Sequence, residues 1–212
     1  MSDIINKLTE LFGQFPGIGP RQAKRFVYHI LRTGNTGAHN LADSIYELSN
    51  NVNQCADCYK YFLPSQKNKN GVTKETNVAL CEICADPNLD QDILIIVEKD
   101  IDLEAMSKAG HYAGRYFILG NLLPILEKEP ANKIRINELK QKIKKSPHLR
   151  EIIIALSANR LGDNTAEYLK EQLKPLVQEK IKISVLGRGL STGIELEYSD
   201  ADTLTHALEN RR

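Results

Sequence analysis

The sequence predicts an α/β protein with a small all-helical region in front and a four-cysteine module between the two. Three observations carry this. Apolar residues recur at helical spacing in the first fifty positions. Four cysteines stand as two Cys-x-x-Cys pairs, Cys55/Cys58 and Cys81/Cys84. After residue 90, short continuous apolar runs alternate with amphipathic patterns, as in a mainly parallel sheet covered by helices. These patterns divide the chain into 1–53, 54–86, 87–178 and a strand-and-helix extension over 179–212. The chain has 212 residues, a formal net charge of +1 and the composition of an ordinary soluble globular protein. No apolar run approaches a membrane span.

In the first region, Ile4, Ile5, Leu8, Leu11, Phe12 and Phe15 mark one helix, with Ser2 or Asp3 as its cap. Phe15-Pro16-Gly17-Ile18-Gly19-Pro20 is the turn after it. Ala23, Phe26, Val27, Ile30 and Leu31 form the apolar stripe of a second helix, and a third is expected over Leu41 to Leu48. Gly17 and Gly19 allow positive φ and close backbone approach. Pro20 suits the first turn of a helix. Free N–H groups there, beside Arg21, Lys24 and Arg25, make a phosphate cradle. No acid stands between Leu11 and Ala42, so this end of the chain is cationic. The pattern resembles a helix-hairpin-helix motif, which contacts DNA backbone rather than base edges. A plain αα-hairpin with a solvated basic face is the blander reading.

Each cysteine pair has two residues between its members, so both thiolates reach one ion from a tight turn. Together the pairs predict a closed, structural zinc site of Cys55, Cys58, Cys81 and Cys84. Disulfides are disfavoured because the N-terminus does not resemble a secretory signal, and a reducing cytoplasmic location is expected. The polar insert between the pairs adds Lys60, Lys67, Lys69 and Lys74 against Glu75.

Strands are expected over Ile93–Val97, Tyr116–Leu119, Ile152–Leu156 and Ile181–Leu186. Helices are expected after Asp102, through Ile136 to Ile143, over Thr165 to Leu176, and over Asp202 to Asn210. In such sheets function gathers at the carboxyl ends of strands. Glu98, Asp100 and Asp102 follow the first strand, and Asp163 lies in the turn after the third. Acids so placed suggest the Toprim domain, which holds magnesium for phosphoryl chemistry. Strand-end acids are common, however, and a helix cap explains Asp163 equally well.

In order and nearly end to end, these pieces resemble the bacterial RecR recombination-protein family. The matching segments include the Phe15–Pro20 turn, both cysteine pairs, Ile96-Val97-Glu98, Gly114-Arg115-Tyr116, Gly187-Arg188-Gly189-Leu190 and Leu196-Glu197-Tyr198. The resemblance implies a non-enzymatic, nucleoid-associated protein that assembles into a dimer or a tetrameric ring able to encircle DNA. It implies partnership with RecO and RecF in loading RecA at gaps. It places DNA contacts at Arg21 and Arg25, with Lys24 beside them. It puts partner docking on the Toprim acidic face with Glu98 and Asp163, and a Walker B-like segment over Ile183–Asp202. The finger insert is longer than usual, and Leu161-Gly162-Asp163 retains one acid where two are typical. Magnesium is therefore not expected at these acids. The competing reading is a magnesium-dependent Toprim nuclease or primase-like enzyme. An ATPase is disfavoured, since no GxxxxGK[ST] occurs.

Overall fold

The computed structural model describes residues 2–64, 79–110, 114–177, 180–190, 192–193 and 195–211. Lys67, Lys69, Lys74 and Glu75 of the finger insert lie outside them. The chain separates into two compact units, Met1–Val52 and Asn53–Arg212.

The first unit is two helices joined by the glycine turn, α1 (Ser2–Gly13) and α2 (Pro20–Asn51). Phe12 sits between Phe15 and Phe26, with ring centroids 6.0 and 5.7 Å away. Ala23 and Val27 are the buried residues of α2. The third helix expected over Leu41–Leu48 is present: Gly34 (φ 72°, ψ −179°) breaks the helical geometry within Pro20–Asn51, so α2 is two helical stretches and Leu41–Leu48 lies in the second. Glycine adopts the positive φ that divides them without steric cost.

The second unit is built on a four-stranded parallel sheet in the order β4-β3-β5-β6. Its strands are β3 (Asp90–Val97), β4 (Gly114–Ile118), β5 (Glu151–Ala155) and β6 (Lys182–Val185). Both faces are covered, which is why β3 and β5 read as continuous apolar runs. Leu94, Ile96, Phe117, Ile152 and Ile154 point to a core shared with Leu139, Leu169 and Leu173 of α6 (Ile136–Lys144) and α7 (Arg160–Val177). Ile95, Val97, Tyr116, Ile118 and Ile153 point the other way, to Leu103 of α4 (Asp100–Lys108). The alternation is the period of two that a pleated strand imposes.

The cysteine segment packs onto this sheet. Its short antiparallel pair β1 (Asn53–Gln54) and β2 (Tyr61–Phe62) frames the first Cys-x-x-Cys, and α3 (Glu82–Ala85) begins at Cys81. A single helical turn, α5 (Pro130–Lys133), precedes α6. The last element is α8 (Ala201–Glu209), capped by Asp200, which accepts from Thr203 N–H.

α7 starts earlier than the apolar pattern suggests. Asp163 therefore lies in the first turn of α7, not in a loop before it. The cause is close packing at Gly162, where a Cβ would stand 1.9 Å from the Ser157 carbonyl oxygen. Only glycine lets the helix begin so soon after β5.

Candidate nucleic-acid interface and candidate metal centre

In the glycine turn, Gly17 has φ +77°, a region that side chains disfavour, so the local conformation itself demands glycine. Gly19 differs. It is the N-cap of α2 with φ −81° and ψ 168°, which any residue adopts. A Cβ built at Gly19 meets nothing within 4 Å. Neither backbone strain nor internal packing accounts for a glycine there. Among the described residues no side chain caps α2, and its first backbone bond runs from Ala23 N–H to Gly19 O at 3.0 Å. The N–H groups of Arg21 and Gln22 are thus left without intrahelical acceptors. Arg21, Lys24 and Arg25 are all exposed on the first two turns. An open backbone approach, free N–H donors, the positive end of a helix and three cations are what a phosphate needs.

The metal centre is closed by comparison. The sulfurs of Cys55, Cys58, Cys81 and Cys84 lie within 4.8 Å of one another. Cys58 Sγ and Cys81 Sγ are 3.5 Å apart, too far for a disulfide and close to the ~3.8 Å between thiolates of a tetrahedral zinc site. Cys55, Cys58 and Cys81 are buried, and Cys84 is half-buried. Each turn is held by its own backbone, with Tyr59 N–H on Cys55 O and Ala85 N–H on Cys81 O, both at 3.0 Å.

The sulfurs are electrostatically unequal. Hydrogen bonds with Cys58, Cys81 and Cys84 hold the Cys55 thiol far below the usual range. Cys81 settles at about 7, its bond with Cys55 opposing those with Cys58 and Cys84. Cys58 and Cys84 are pushed up, each first by its bond with Cys55. Four thiolates packed this closely repel one another, so they coexist only with a cation among them. The donor set and spacing fit zinc, which in such a site supplies cross-linking and not reactivity.

The strand-end acids are brought near one crevice but are otherwise engaged. The strand order reverses direction beside β3, so the switch point lies between the carboxyl ends of β3 and β5. Glu98 Oε2 accepts from Ser157 Oγ across it at 3.2 Å, and Lys99 Nζ is 3.8 Å from Glu98 Oε1. Asp163 pairs with Arg188 from the segment after β6. Asp100 accepts from Tyr61 N–H at 2.8 Å, and Asp102 accepts from Lys99 N–H at 3.2 Å to cap α4. Among the described residues, the four cysteines are the one group of three or more metal-ligating side chains close enough to hold an ion. Sequence reasoning did not find the Arg188–Asp163 pair, because the partners come from segments with no shared periodicity.

An α/β unit of Toprim type, four cysteines placed to hold a metal ion and a helix-hairpin-helix with an open, cationic helix start are the parts of a protein of nucleic-acid metabolism. Family comparisons agree segment by segment. Residues 5–48 match the model described as RecR, helix-hairpin-helix, residues 92–187 the Toprim domain, and residues 189–212 RecR, C-terminal. The chain is 34% identical over 212 residues to the recombination protein RecR of Syntrophobacter fumaroxidans, covering 100% of this chain and 94% of that protein. It is 33% identical to that of Acidothermus cellulolyticus, covering 99% and 96%. The chain belongs to the RecR family of recombination proteins.

Proposed function

We propose that this chain is a non-enzymatic mediator of recombinational repair. It binds DNA without sequence preference and closes as a homo-oligomeric ring that helps load the recombinase at gaps. Gly17, Gly19, Arg21, Lys24 and Arg25 hold the sugar-phosphate backbone, and one structural zinc per chain sits on Cys55, Cys58, Cys81 and Cys84. Glu98 and Asp163 belong to the face that docks RecO- or RecF-type proteins. Action at the nucleoid, in the cytoplasm, follows from this role, and no helix among the described residues is long and apolar enough to cross a membrane.

The observation that carries the reading is Gly19, a glycine that this chain's own backbone and packing do not require. Assembly is supported by apolar side chains left in solvent: Ile45 57%, Tyr46 72% and Leu48 62% exposed in α2, and Leu196 64%, Tyr198 78% and Leu208 64% near the C-terminus. The non-enzymatic reading is supported by the engagement of Asp100 and Asp102 in backbone hydrogen bonds and of Asp163 in an ion pair with Arg188.

The test is DNA affinity as a function of salt for the parent and the Arg21→Ala/Arg25→Ala variant. The variant binds single-stranded and gapped DNA more weakly. Its slope of log K against log salt on duplex is shallower by about 0.9 for each phosphate no longer neutralised, with assembly unchanged. Parent-like binding overturns the assignment.

A further inference from the structure

The two cysteine pairs are not equivalent. The first is bonded to the α/β body. Ile118 N–H, at the end of β4, donates to Cys58 O at 2.9 Å. Tyr59, at φ 67°, stacks edge-on against Phe117 at 5.4 Å and lies under the Arg135 guanidinium at 5.1 Å. Lys142 of α6 reaches Asp57, between the two cysteines, in two ways: Nζ lies 2.6 Å from Asp57 Oδ2 and donates to Asp57 O at 3.2 Å. The second pair makes its polar contacts with the first, while Ile83 between its cysteines packs against the other face of the sheet. Ala56 N–H donates to Ala79 O at 3.0 Å, and Cys81 N–H points at Cys55 Sγ at 3.4 Å.

Lys142 is the unusual member of this set. Its neighbours Lys144 and Lys145 are exposed, whereas Lys142 is 8% exposed. Removing an ammonium from water costs several kcal/mol unless a partner compensates. That partner, Asp57 Oδ2, is itself buried, and its close neighbours are Lys142 and, at 3.9 Å, Arg115. The Lys142 ammonium has been desolvated against a carboxylate oxygen that is itself out of solvent, although the Asp57 side chain as a whole keeps 29% exposure.

We infer that Lys142 is a positioning residue for the metal centre. It fixes Cys55 and Cys58 as a preformed half-site on α6 and β4, onto which Cys81 and Cys84 close. This rests on the metal reading above. Outer partners that orient ligands typically change metal affinity by about 10- to 100-fold.

The test follows transfer of zinc from the full-length protein to a chromogenic chelator. The variants are Lys142→Met, the double variant Asp57→Asn/Lys142→Met, and Lys140→Met as a control. Lys140 is bonded to Gln172 and lies outside the site. Lys142→Met releases zinc about tenfold faster or more, and Lys140→Met matches the parent. The double variant removes the buried ammonium together with the carboxylate it pairs with, so it recovers thermal stability yet still loses zinc faster. Parent-like zinc retention in the double variant reduces Lys142 to a partner for Asp57 and overturns the inference. A parent protein that carries no zinc overturns the metal reading itself.

Discussion

The two units differ in how much apolar surface they enclose. The α/β unit encloses a large core of its own, although Leu196, Tyr198 and Leu208 near its C-terminus stay exposed. Phe117, Ile95, Ile96, Leu119, Ile152, Ile154 and Leu169 are all essentially inaccessible to solvent. The helical unit buries only Ala23 and Val27 fully, while Ile4, Phe15, Leu31, Ile45, Tyr46 and Leu48 stay exposed. The difference separates a part stabilised from within from a part whose surface is made for others. In the function proposed above, the cations at the glycine turn are assigned to DNA and the exposed apolar positions along α2 to assembly.

The largest expected effect lies on the self-contained side. Cys58→Ser removes one of four ligands, and the binding free energy of a structural zinc is folding free energy, about 10 kcal/mol or more in isolated fingers. The variant loses metal and a cooperative part of its thermal transition, read by metal analysis and circular dichroism. Phe117→Ala comes next. It opens a cavity between the sheet and α6/α7 and costs about 3–5 kcal/mol in denaturant unfolding. Retention of parental stability in either variant breaks the picture of a self-sufficient α/β unit.

Tyr46→Asp probes the other side. Tyr46 touches no core, so the secondary structure persists, but a charge on the exposed face of α2 lowers the oligomeric mass seen by light scattering. The smallest effect concerns Asp200 at the start of α8. Hydrogen bonds from the Thr203 backbone N–H and then its hydroxyl hold this carboxyl below the ordinary value of 3.8. A depressed folded-state pKa contributes stability above that ordinary value and loses it as pH falls through the folded one. Amide exchange in α8 therefore rises in acid below about pH 4, and Asp200→Ala shows the faster exchange already at neutral pH.

Much of the fold was legible because each signal is local. Ile93–Val97 and Ile152–Ala155 read as strands since both faces of a covered parallel sheet are apolar. The cysteine pairs were legible because two intervening residues bring two sulfurs to one point. What escaped was set by pairs distant in sequence. Lys142 looks like any lysine of a basic helix until Asp57 is placed beside it. Asp163 looked like a loop acid because nothing in its neighbourhood reveals that Gly162 lets α7 press against Ser157. Asp100 and Asp102 read only as strand-end acids, and nothing local shows that they tie β2 and cap α4. Gly34 stands inside a polar stretch with nothing to single it out, yet its positive φ is what separates the helix after Pro20 from the one holding Leu41–Leu48.

The central claim is that Gly19 is glycine for the sake of a phosphate, and Gly19→Ala measures this most directly. Its φ suits alanine and its Cβ meets nothing, so unfolding stability stays within about 1 kcal/mol of the parent and assembly is unchanged. DNA affinity at fixed salt falls about tenfold, the loss expected when a backbone donor can no longer reach a charged acceptor. A Gly19→Ala protein that folds, assembles and binds DNA as tightly as the parent contradicts the account.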